Sequence, residues 1–133
     1  MRFSIFAAVL LLSAICASAQ MIVSADDAVA DTLTVLLEDV SRAEMQVGQV
    51  IESRLPSTAG ERKDRMRLIY ERKRDLASAE QQYFEYCCQY ATDEDSKSMF
   101  RMKAVAARRH GNEYQNRVYA YTVVERPKVR YPR

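Results

Sequence analysis

From Val29 onward, apolar side chains recur at alternating steps of four and three: Val29, Leu33, Leu36, Val40, Ala43, Val47 and Val50. On a helix of about 3.6 residues per turn this spacing forms one stripe, so a first long helix is predicted from about Asp26 to Leu55. Ser24 and Asp27 resemble a capping box at its start, and Asp26, Asp27 and Asp31 suit the positive end of a helix dipole. Pro56 ends it, because the residue before a proline avoids the helical region.

A second helix is predicted from the capping pair Thr58 and Glu61 to about Ala91. Its seam is Met66, Ile69, Lys73, Leu76, Glu80, Tyr83, Cys87 and Tyr90, and Lys73 and Glu80 interrupt it. Thr92 and Asp95 form a third capping match, followed by Phe100, Ala104, Ala107, Gly111, Tyr114, Val118 and Tyr121. Within that run, Arg108-Arg109-His110-Gly111-Asn112 also reads as a helix ending, and the residues after it favour strands. No partner strand is evident, so a third helix kinked or interrupted at Gly111 is the expectation. Three helices joined by short breaks give an all-α fold, an elongated up-down-up three-helix bundle of long amphipathic helices. Residues 123–133, with two prolines and no periodicity, are expected to form a disordered tail.

The charges come in blocks that bear on this topology. Residues 26–41 carry five acids and no base, 75–95 six acids and no base, and 97–109 five bases and no acid. An up-down-up order brings these three blocks to one end, where the third helix offsets the charge of its neighbours. Exposed pairs are worth only ~0–1 kcal/mol each, so burial of the seams must supply most of the stability.

The N-terminus changes the picture of where the chain acts. Arg2, an apolar run from Phe3 to about Ile15, and Ala17-Ser18-Ala19 have the order that signal peptidase reads. Cleavage after Ala19 would release a secreted chain of 114 of the 133 residues, with 20–122 as one helical domain. An uncleaved N-terminal membrane anchor is the alternative, disfavoured because a span needs about 20 apolar residues. Losing Arg2 from the 20 basic residues leaves 19 against 18 acids, a balance that argues against a nucleic-acid partner.

Candidate chemistry is sparse. His110 is the only histidine and only three glycines are present, so neither a His-based metal site nor a phosphate-cradling loop is expected. No cofactor, metal or enzymatic activity is therefore anticipated. The aromatic run at 83–91 stands out, because at about 100° per residue its apolar arc covers some 200° of the second helix. Tyr83, Phe84, Tyr86, Cys88 and Tyr90 are the candidate interface, since tyrosines are enriched where proteins meet. A middle helix in a bundle also needs a wide apolar face, and that reading weighs more.

Adjacent cysteines on a helix diverge by about 100°, so Cys87 and Cys88 are not expected to bond to each other. Cys87 at the centre of the arc reads as a buried core residue. Cys88 at its rim is the candidate for an intermolecular disulfide in an oxidising compartment. In the tail, Arg126, Lys128, Arg130 and Arg133 are candidate contacts for an acidic surface or anionic lipid. Together these features predict a secreted, non-enzymatic protein that binds a protein partner or a second copy of itself. Reversible attachment to a membrane surface through amphipathic helices is the second expectation.

Overall fold

The computed structural model describes residues 26–122, which form three α-helices. These are α1 (Asp27–Glu52), α2 (Ala59–Tyr90) and α3 (Glu94–Thr122). The signal-peptide and anchor readings, and the tail with Arg126, Lys128, Arg130 and Arg133, lie outside the described residues.

Each helix starts where a side chain satisfies backbone N–H groups that have no partner inside the helix. For α1 the cap is Asp26, whose carboxylate accepts the Ala28 N–H at 3.0 Å. For α2 it is the expected capping box: Glu61 N–H donates to Thr58 Oγ1 at 3.2 Å, and Thr58 N–H donates back to Glu61 Oε2 at 3.2 Å. In α3 the cap is Asp93 rather than Thr92, because its two carboxylate oxygens accept the Ser96 N–H and hydroxyl, both at 2.7 Å. A charged acceptor one residue later thus takes the role assigned to the hydroxyl.

The C-terminus of α1 is held from outside. Helical geometry stops at Glu52, three residues before the predicted end at Leu55. Ser53 is extended, and its N–H returns to the Val50 carbonyl at 3.3 Å. The guanidinium of Arg65, reaching over from α2, donates to the carbonyls of Val50 at 3.3 Å and Ile51 at 2.8 Å. Two of the four carbonyls that a helix end leaves unpaired are thereby satisfied.

α2 packs against both other helices, so the order is up-down-up with α2 in the middle. The start of α1, the end of α2 and the start of α3 share one buried cluster: Val29, Leu33 and Val40 with Tyr83, Cys87, Ala91 and Phe100. This is the meeting of ends that the charge blocks suggested. The ion pairs Arg42–Asp39 at 3.0 Å, Arg74–Asp75 at 2.8 Å and Lys97–Glu94 at 2.9 Å, however, each join residues of a single helix.

α3 is helical without a break from Glu94 to Thr122, so the interruption expected at Gly111 does not occur. Gly111 has no positive φ, and a Cβ built on it would lie 3.7 Å from the Ala77 Cβ. The glycine is therefore part of a close α2–α3 contact with the buried Ala77, Ala104 and Ala107. Beyond it, the strand-prone residues are held helical by packing. Val118 is buried, and the rings of Tyr114 and Tyr121 lie 6.2 and 5.8 Å from that of Tyr70 on α2.

Candidate protein-interaction faces

Because α2 is the middle helix, most of its aromatic arc is used inside the molecule. Tyr83 is 5% exposed and Cys87 is 0% exposed, and both belong to the core cluster. Tyr83, proposed from the sequence as an interface residue, therefore faces inward and offers a partner almost no surface. Phe84, Tyr86, Cys88 and Tyr90 are half-buried and pack at the edges of the same cluster. The Phe84 ring is 6.5 Å from that of Phe100, with Lys103 Nζ 5.5 Å from its centroid, and Tyr86 and Tyr90 are 4.7 Å apart.

No disulfide joins Cys87 and Cys88. The Cys88 thiol donates to the backbone carbonyl of Lys97 at 3.3 Å, so it points toward α3. Reaching a sulfur of a second chain would require it to leave that carbonyl.

On the outer side of the α2–α3 pair, two neighbouring cavities of about 180 and 290 Å³ form a shallow groove. The first is lined by Glu85, Cys88, Arg101, Ala104, Val105 and Arg108, and Arg108 also lines the second. In the second, Arg74 is fixed by Asp75 at 2.8 Å and by Gln115 Oε1 at 2.9 Å. Arg101 and Arg108 are exposed and have no carboxylate partner among the described residues. Val105 is 48% exposed and Met102 70% exposed beside them. Sequence reasoning missed this face, because its walls belong to two helices and neither stripe is apolar enough to stand out alone.

A second feature lies on the other side of the pair. Glu80, which interrupts the predicted seam, is half-buried, and burial pushes its carboxyl above the ordinary value of 4.5. The negative charge of Glu44 on α1 adds to that rise, while His110 on α3 opposes it. Burial raises Glu44 as well. Charges on all three helices thus bear on Glu80. The break in the seam at Glu80 was the available signal, but a linear pattern does not show which residues of the other helices face it. Among the described residues, no group of three or more His, Cys, Asp or Glu side chains is placed to hold a metal ion.

The sequence matches no protein-family model and no curated protein, and the structure matches no solved structure. No helix among the described residues is long and apolar enough to cross a membrane.

Proposed function

We propose that the chain is a secreted, non-enzymatic interaction module, binding a protein partner or a second copy of itself through the outer α2–α3 groove. The supporting observation is the exposed stripe Arg101, Val105 and Arg108, whose two cations have no carboxylate partner within the described residues. Unpaired arginines next to exposed apolar side chains are the composition that protein interfaces favour. Of Phe84, Tyr86, Cys88 and Tyr90, only the half-buried Cys88 lines this face.

Chemical cross-linking of the full chain in the fluid or cell that produces it tests this reading. An adduct that disappears on Arg101→Glu with Arg108→Glu supports it. Absence of an adduct, or an adduct indifferent to both changes, overturns it. Flotation with anionic vesicles tests the membrane-surface alternative, and salt-sensitive binding with a gain of helicity would replace the protein-interaction reading.

A further inference from the structure

We infer that the outer α2–α3 groove receives the outer face of α1 from a second copy of this chain. This rests on the interaction reading above and names the occupant of the same surface. Asp31, Val35 and Glu38 on α1 are exposed, Val35 by 57%, and neither acid has an ion-pair partner among the described residues.

Their steps of four and three are the same as those of Arg101, Val105 and Arg108 on α3. Each set spans about 10.5 Å along its helix and stays within an arc of about 60°. Laid parallel, Asp31 meets Arg101, Val35 meets Val105 and Glu38 meets Arg108. Glu85, on the other wall of the groove, is engaged by Gln81 Nε2 at 2.7 Å.

The topology then sets the form of the assembly. α1 and α3 run in the same direction within one copy, so a parallel contact aligns neighbouring copies side by side. The groove is lined by α2 and α3 residues alone, and on α3 Arg101 lies about 200° from Lys103, which reaches the Phe84 ring at the edge of the core shared with α1. Groove and occupant are therefore on different sides of the bundle, and the contact is head-to-tail and can repeat. Two exposed ion pairs and one apolar contact make it weak, to be read at about 0.1–1 mM chain.

Sedimentation velocity of the purified full chain, with charge-swapped variants, tests this. The wild type is expected to form a concentration-dependent series extending past the dimer. Asp31→Arg with Glu38→Arg, and separately Arg101→Glu with Arg108→Glu, should each weaken association at least about tenfold. Mixing the two variants should restore it, a rescue that misfolded chains would not give. A wild type that stays monomeric, or stops at a dimer, overturns the inference. So does association that the groove variant loses but Asp31→Arg with Glu38→Arg leaves unchanged, since the occupant would then not be α1. If the purified chain is monomeric while the groove-dependent adduct persists, the interaction reading stands without the second copy.

Discussion

Where α1 and α3 begin and α2 ends, Val29, Leu33, Tyr83, Cys87 and Phe100 close a shared apolar core. At the opposite end of the bundle, Ile69 and Val118 are buried, and the other cross-helix contacts are rings and directional polar groups. Tyr70 lies against Tyr114 and Tyr121, Lys73 Nζ is 5.9 Å from the Tyr70 and Tyr114 ring centroids, and Arg65 holds the carbonyls of α1. Ile51, Leu55 and Tyr119 are exposed there. The largest fully buried side chain, Phe100, thus lies at one end, while the other buries Ile69 and Val118 and leaves Ile51, Leu55 and Tyr119 in water. The second end is expected to open first, because local stability follows buried apolar contact.

The largest effect should come from the core end. Phe100 is 1% exposed, and Phe100→Ala is expected to cost about 3–5 kcal/mol in denaturant unfolding. Tyr70→Ala, at the other end, should cost less and chiefly speed amide exchange in the last turns of α3. Equal losses from the two changes would remove the distinction between the ends.

Arg65→Ala is expected to cost about 1–2 kcal/mol, since it removes charge-assisted bonds to two carbonyls that water can then partly satisfy. Arg65 Nε is buried without an acceptor, which reduces the net benefit of the residue. Faster exchange at the end of α1, without faster exchange around Cys87, would place the effect at the second end. Uniform acceleration would count against two separable ends.

Much of the fold was legible because amphipathic spacing and capping chemistry are local. The capping box at Thr58 and Glu61 was read directly, and the short breaks between helices led to the observed topology, which the charge blocks fit. Their direct ion pairs, however, do not cross between helices among the described residues. Basic side chains cross between helices to rings, amide oxygens and carbonyls, as Arg72 does to Gln46 Oε1 at 3.3 Å, while ion pairs such as Lys97–Glu94 stay within one helix. The outer groove and the influence of Glu44 and His110 on Glu80 depend on which helix faces which, and periodicity along one helix does not contain that. Gly111 misled for a related reason: its role is the approach to Ala77, a contact remote in sequence.

That contact leaves room for a methyl group. Gly111→Ala places its Cβ at 3.7 Å from Ala77 Cβ, an ordinary van der Waals distance, and gains helix propensity. A stabilisation of up to about 1 kcal/mol is expected in denaturant unfolding. A loss would show that α2 and α3 pack more tightly here than the backbone indicates.

The smallest expected shift lies between the ends, at Glu80. Its folded carboxyl is raised, first by burial and then by Glu44, with His110 acting in the opposite sense. The folded chain therefore holds this proton more tightly than the unfolded chain. The resulting stability is fully present below the unfolded value and is lost as pH rises through the raised folded one. Glu80→Gln cannot ionise, so the variant should melt above the wild type at pH 7, with the difference closing as pH falls below the ordinary value of 4.5. Glu61 and Asp93 run the other way. Hydrogen bonds, to Thr58 and to Ser96 respectively, lower their carboxyls, so their contribution is present at neutral pH and lost on acidification. Acid should thus loosen the helix starts while relieving the middle of the bundle. A Glu80→Gln variant with no advantage at pH 7 would mean that the carboxylate there keeps its water.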